Sequence, residues 1–253
     1  MHFYRDYLVH YYEAGPDRTL TLPSLIRYFE DIAILHSSSK GLDLGWYERE
    51  SCGWMLLKWD ISIIRMPEFG ETVHVGTKVN AMRSFMADRD FELRDASGTL
   101  LSAGRSNWLL ADTVRRRPLR VQEFQYAAFG ISMETASLYR SLDDLQFSVD
   151  GVEPYSVRAM DSDIDTNGHV NNVSYLEWAL DSLPPGFARR SSPEALRIHY
   201  RKELGPGSPA EVRSLVLPAV PAGAEGGIAT SRHSIRADGA DCCLVEIDWK
   251  PVL

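Results

Sequence analysis

DIDTNGHVNNVSYLEWALDSLPP, residues 163 to 185, carries two kinds of information side by side. In its second part Val173, Leu176, Leu180 and Leu183 recur at helical spacing and make one apolar stripe. Asn171 or Asn172 can cap such a helix, and Pro184-Pro185 stops it. The first part sets Asp165, Asn167 and His169 at two-residue spacing, with Gly168 able to turn the chain into the helix. If the segment is extended, a carboxylate, an amide and an imidazole project to one side at the mouth of a helix. The alternative is a capping turn with a satisfied histidine.

An earlier stretch has the same layout. Leu22, Leu25, Ile26, Phe29, Ile32 and Ala33 form a helical stripe, with Thr21 as a cap and Pro23 in the first turn. After it come the alternating runs WMLLKWDISII, ETVHVGTKV, FMADRDFELRD and LLSAGRSNWLLA. After the later helix come ALRIHYRKEL, PAEVRSLVL, IATSRHSIRA and CCLVEIDW. Tyr28-Phe29-Glu30 matches Tyr175-Leu176-Glu177 at an offset of 147, and Ile61 to Gly70 overlays Ile198 to Gly207 at 137. The helix-to-strand connection is thus expected to be ten residues shorter in the second copy. A long helix wrapped by a twisted antiparallel sheet is the α+β hotdog unit, and two copies make a tandem, or double, hotdog. The expected division is 1–125, a linker at 126–150 with a short helix in METASLYRSLDDL, and 151–253.

The bulk properties exclude several classes of function. The 253 residues are 44% hydrophobic and 25% charged, which suits a globular chain with a sizeable core. A net charge of −8 argues against nucleic-acid binding. No apolar run reaches membrane-span length, and MHFYRDYLVHYYE reads as a strand rather than a targeting peptide, so cytoplasm is the expected compartment. Cys52, Cys242 and Cys243 read as small packing residues, the last two within a strand alternating Cys243, Val245, Ile247 and Trp249. Asp163, Asp165, Asn167 and Gly168 fit the start of a calcium loop. Its twelfth position requires a glutamate, and Ser174 stands there. No metal and no cofactor is expected.

DIDTNGHVNNVSYLEWALDSLP resembles the acyl-acyl-carrier-protein thioesterase family, with its D-x-N-x-H-V-N-N-x-x-Y signature at Asp165, Asn167, His169, Val170, Asn171, Asn172 and Tyr175. HYRKELG (199–205) is similar to the family segment EYRRECG, and WLLADTVRRRPLRV to its T-R-R region. The resemblance implies fatty acyl-carrier thioesterase activity with Asp165, Asn167, His169 and Glu203 in the catalytic site. Asn171, Asn172, Arg115, Arg116 and Arg117 would contact substrate. Either Asp165 or Glu203 is the base; by residue type alone Glu203 is a solvated charge at the end of a strand containing His199 and Arg201. The family's cysteine after the glutamate is Leu204 here, so attack by water is expected rather than by a thiol. The implied partner, acyl carrier protein, is acidic. Docking to an acidic chain then requires a local basic patch, for which Arg115, Arg116, Arg117 and Arg120 are the densest candidate. Acyl-coenzyme A hydrolysis, a non-catalytic acyl-binding hotdog and a hotdog dehydratase are the rival readings, and a homodimer is compatible with each. The first half lacks the signature, reading DRTLTLPS at its helix start, so one active site is expected, with the first half holding the acyl chain.

Overall fold

The computed structural model describes residues 3–218 and 229–251. Met1, His2 and Ile228, expected at the starts of two strands, lie outside the described residues. The chain divides into two compact units, Met1–Trp59 with Ile64–Asp143, and Asp60–Ile63 with Asp144–Leu253.

In the first unit β1 (Phe3–Leu8) leads through a turn into α1 (Leu22–Ser38) and the short α2 (Leu44–Arg49). The strands β2 (Cys52–Ile63), β3 (Thr72–Arg83), β4 (Met86–Asp95) and β5 (Leu100–Asp112) follow. A two-residue β6 (Arg117–Pro118) pairs with β5, and α3 (Glu123–Ala128) comes after it. Thr21 caps α1 by accepting the Ser24 N–H, and Pro23 sits in the first turn, where a missing N–H costs nothing. The stripe read from the sequence is the buried face: Leu25, Ile26, Phe29 and Ile32 are fully buried. Phe29 packs on Phe91 and Trp59, with ring centroids 5.2 and 6.0 Å away. Each such side chain contributes roughly 1.5–3 kcal/mol through burial. The expected short helix in METASLYRSLDDL is one 3-10 segment, Met133–Leu138, and α3 ahead of it is an element the apolar pattern does not announce.

The second unit contains β7 (Tyr155–Arg158), α4 (Asn172–Asp181), β8 (Ser191–Tyr200), β9 (Pro209–Leu217), β10 (Ala229–Ala237) and β11 (Ala240–Pro251). Strand order is β1-β3-β4-β5-β2 in the first unit and β7-β9-β10-β11-β8 in the second. These are one order repeated, and strands pair antiparallel in both. Each unit is a helix against a twisted antiparallel sheet, the hotdog arrangement in tandem. The second helix is the shorter of the two. Strand β11 departs from the expected alternation: Cys242 to Ile247 are all buried, because the strand is covered on both faces.

Its neighbour β10 places His233, which is fully buried, in a polar chain. One ring nitrogen lies 2.6 Å from Ser214 Oγ and the other 2.9 Å from Ser231 Oγ, which also accepts the Trp249 indole N–H. A neutral imidazole satisfies both sides, donating at one nitrogen and accepting at the other. Burial lowers the pKa of His233 to about 3. A depressed histidine contributes stability that is complete above the unfolded value near 6.5 and is lost as pH falls toward about 3. The expected loss is about 2 kcal/mol between pH 6.5 and 5. Chemical denaturation of His233→Gln should show lower stability at pH 7 and a flatter decline to pH 5, the remaining slope coming from His36, which is likewise depressed to about 3.

Candidate active site

The signature is not extended. The chain bridges at Ile164 and Val170, and between them Asp165 N–H donates to the His169 carbonyl (2.9 Å) and Gly168 N–H to the Asp165 carbonyl (3.0 Å). Gly168 has φ +77, the left-handed conformation that closes the turn. Asp165, Asn167 and His169 therefore meet by folding back rather than by alternation. The Asp165 Oδ1 accepts the backbone N–H of Asn167 (2.8 Å) and of His169 (3.3 Å), and its Oδ2 accepts from the Asn167 side-chain amide (3.2 Å). A carboxylate only accepts when ionised, so this fixes the amide with Nδ2 toward Asp165 and Oδ1 outward. Asn167 is exposed, and Asp165 and His169 are half-buried.

Asn171 caps α4, its Oδ1 accepting the Val173 N–H (2.8 Å). Asn172 is the first helical residue, and its carbonyl accepts from the Tyr200 hydroxyl (3.1 Å). The Asn171 side-chain oxygen is thus engaged in the cap, whereas the Asn172 bond is made by its backbone.

Glu203 is not in a strand. Strand β8 ends at Tyr200, Arg201 and Lys202 N–H both donate to the Cys242 carbonyl of β11 (2.8 and 3.1 Å), and the chain then runs beside the signature turn. Val170 N–H donates to the Leu204 carbonyl (2.8 Å), while Leu204 N–H donates to the Tyr175 hydroxyl (3.0 Å). This brings Glu203 Oε2 to 3.7 Å from His169 Nε2, with each side chain about one-third exposed. That separation exceeds a hydrogen bond and suits an ion pair when the imidazole is protonated. Tyr175 is the residue the sequence reading left without a role. It is buried beneath the turn, and burial pushes its phenol pKa up, so the O–H stays protonated. The tyrosine at the end of the signature was the available signal.

The three cysteines stand apart from this. All are buried, and burial raises each thiol pKa. Leu204 is buried with no reactive group. Among the described residues no His, Cys, Asp and Glu side chains group as a metal site, and no helix is long and apolar enough to cross a membrane. The arginine cluster lies in the first unit, at the turn between β5 and β6. Asp112 shapes that turn by accepting from Val114 N–H (3.0 Å) and Arg115 N–H (2.7 Å). These bonds, the Arg115 N–H first, hold the Asp112 pKa below its ordinary value. Arg115, Arg116, Arg117 and Arg120 are exposed.

The first unit contains the same turn without its chemistry. Gly15 N–H donates to Thr19 carbonyl (2.8 Å), Arg18 N–H to Gly15 carbonyl (2.9 Å), and Leu20 N–H to Pro67 carbonyl (2.8 Å). These bonds repeat those of Asp165, Gly168 and Val170, so the helix entries align at an offset of 150 rather than 147. The strand exits, Pro67 against Leu204, keep the offset of 137. The connection is consequently thirteen residues shorter in the second copy. At these offsets Gly15, Asp17, Thr19 and Met66 stand where Asp165, Asn167, His169 and Glu203 stand. An aromatic hollow of Tyr11, Tyr12 and Phe69 covers this turn, where the second copy has Asp161, Ser162 and Pro206.

Comparison with known families meets this geometry. Residues 1–129 match the Acyl-ACP thioesterase N-terminal domain, and residues 146–251 the C-terminal domain. The chain belongs to the acyl-ACP thioesterase family. Among curated relatives it is 28% identical to a chloroplastic acyl-[acyl-carrier-protein] hydrolase of Cuphea viscosissima, covering 98% of this chain and 62% of that one. It is 27% identical to a chloroplastic palmitoyl-acyl carrier protein thioesterase of Gossypium hirsutum, covering 98% and 64%. The chain thus spans about three-fifths of the length of these relatives. A solved Lactobacillus plantarum protein, provisionally named an oleoyl thioesterase, has a TM-score of 0.89 at 25% identity, covering 100% of this chain and 97% of that one. The 12:0-ACP thioesterase of Umbellularia californica has a TM-score of 0.78 at 21% identity, covering 99% and 98%, a likeness of fold.

Tyr175→Phe tests the fastening of Glu203. It leaves the Leu204 N–H without its acceptor, at a cost of about 1–3 kcal/mol if no water replaces the hydroxyl. Thermal unfolding should show that loss, and Tyr175→Phe should lower turnover although the phenol sits beneath the turn.

Proposed function

We propose that the chain hydrolyses the thioester of a fatty acyl group carried by acyl carrier protein, releasing the free acid by direct attack of water. The observation that carries this reading is the meeting of the Asp165–Asn167–His169 turn with Glu203 in a chain of this family, together with the absence of that set from the first-copy turn, where Gly15, Asp17, Thr19 and Met66 stand. In this reading His169 and Glu203 act together as the base. They take a proton from water as its oxygen attacks the carbonyl carbon, and the C–S bond then breaks as the thiolate leaves and is reprotonated. Asn167 positions the reactants, with Oδ1 accepting from water and its second amide hydrogen donating toward the developing oxyanion. Asp165 is a positioning residue, its carboxylate already engaged by three N–H groups of its own turn. The first unit accommodates the acyl chain, a role supported by its group of partly buried aromatics, Trp46, Tyr47, Trp54, Trp108 and Phe129. The protonated, buried thiols and Leu204 support water as the nucleophile.

Thiol release from acyl-carrier and acyl-coenzyme A substrates, measured side by side, tests the function. His169→Ala and Glu203→Ala should each lower turnover roughly 100- to 10,000-fold. Asp165→Asn, which keeps an acceptor, should be milder than Asp165→Ala. An acylated side chain trapped during turnover would overturn direct water attack, and equal activity on acyl-coenzyme A would favour that substrate.

The arginine cluster of the β5–β6 turn is assigned to docking of the acidic carrier. Reversing two of its charges, Arg115→Glu with Arg117→Glu, should raise KM for the carrier substrate and leave kcat nearly unchanged. The effect should shrink as salt is added. Steady-state kinetics at low and moderate ionic strength checks this, and unchanged KM at both would remove the cluster from the docking surface.

A further inference from the structure

The interior of the first unit holds a cation that the hydrolysis does not use. Arg89, on β4, is 7% exposed. One guanidinium nitrogen, Nη1, lies 3.1 Å from His36 Nδ1 and 3.3 Å from Thr77 Oγ1. No carboxylate pairs with it among the described residues. Its strand neighbours engage other groups, Asp88 with Asn80 and Asp90 with Arg105. Arginine only donates, so His36 accepts at Nδ1, and burial together with the Arg89 charge keeps the imidazole neutral. Both contacts are therefore uncharged acceptors, and they use one of the three guanidinium nitrogens. A buried charge met only by neutral groups is costly to retain unless something else completes its shell.

Apolar and aromatic side chains surround the cation. The guanidinium lies 5.6 Å from the centre of the Phe129 ring. Phe129 and Tyr47 belong to the partly buried aromatic group with Trp46, Trp54, Trp108 and Ile131, against buried Cys52, Val79, Met82 and Leu110. The Tyr47 hydroxyl is buried beside the side chains of Trp54 and Ser37. A β-bulge at Asn80, between Val79 paired to Arg89 and Ala81 paired to Asp88, disrupts the ladder beside the cation. An apolar wall with unused guanidinium donors at one end fits a chain that is mostly hydrocarbon and carries one oxygen acceptor.

We propose that Arg89 is a specificity site for acyl chains bearing an oxo or hydroxyl oxygen, which its remaining guanidinium N–H donors bind inside the first unit. This rests on the assignment of the acyl chain to that unit. The test uses full-length protein and carrier substrates of matched chain length, either unsubstituted or carrying one hydroxyl or one oxo group at successive positions. At least one oxygenated position should exceed the plain chain in kcat/KM by roughly tenfold or more, the value of a hydrogen bond to a charged donor. Arg89→Met should abolish that preference while plain-chain hydrolysis is kept. It should also raise the melting temperature, since an arginine needed only for structure would lower it on removal. Plain chains preferred at every position, or a preference unchanged in Arg89→Met, would overturn the proposal. Were no thioester hydrolysed, the function above would fail by itself. Tryptophan fluorescence titration with the free plain and oxygenated acids would still decide this site, tighter binding of an oxygenated acid in wild type but not in Arg89→Met supporting it and equal binding overturning it.

Discussion

Leu204 is tied at both of its backbone groups, and the candidate site depends on that tie. Its carbonyl accepts from Val170 at the end of the signature turn, and its N–H donates to Tyr175 on α4. Residue 203 is thereby carried past residue 169 with little freedom. Proximity of the imidazole and the carboxylate comes from backbone hydrogen bonds and a buried phenol, rather than from attraction between two charges that stand 3.7 Å apart.

The first unit supplies an internal control for this interpretation. There Leu20 N–H reaches the Pro67 carbonyl just as Val170 reaches Leu204. Proline has no N–H, and the position matching Tyr175 is Leu25, which has no hydroxyl. Donor and acceptor are absent together. The scaffold of the turn survives in both halves, including a left-handed residue, Arg18 at φ +64 against Gly168 at +77. A backbone geometry shared by both copies is separable from side chains that differ, and only the second copy holds the carboxylate, amide and imidazole.

The helices, the order of the strands and the duplication were legible because each rests on periodicity, which burial enforces. The stripe Leu25, Ile26, Phe29 and Ile32 is an example. The register between the helices was misjudged by three residues because Tyr-Phe-Glu and Tyr-Leu-Glu match by letter. A three-residue slip on a helix leaves much the same face inward, so the apolar stripe cannot reject it. Glu203 was placed in a strand because His199, Arg201 and Glu203 continue the alternation, whereas strand β8 ends at Tyr200. Alternation reports the pleat and is silent about where pairing stops. Spacing leaves residues 165–169 open between an extended segment and a capping turn, because closure depends on Asp165 accepting local N–H groups, a competition between side chain and backbone that spacing does not encode.

Carrying two copies of one unit on one polypeptide has a genetic consequence. In an assembly of identical subunits every substitution appears in all copies at once, so a change that suits a binding pocket must also be tolerated in the reacting centre. Here Gly15, Asp17, Thr19 and Met66 differ from Asp165, Asn167, His169 and Glu203 at the matching positions. Joining the copies turned a symmetric constraint into two independent ones, and each half became free to specialise.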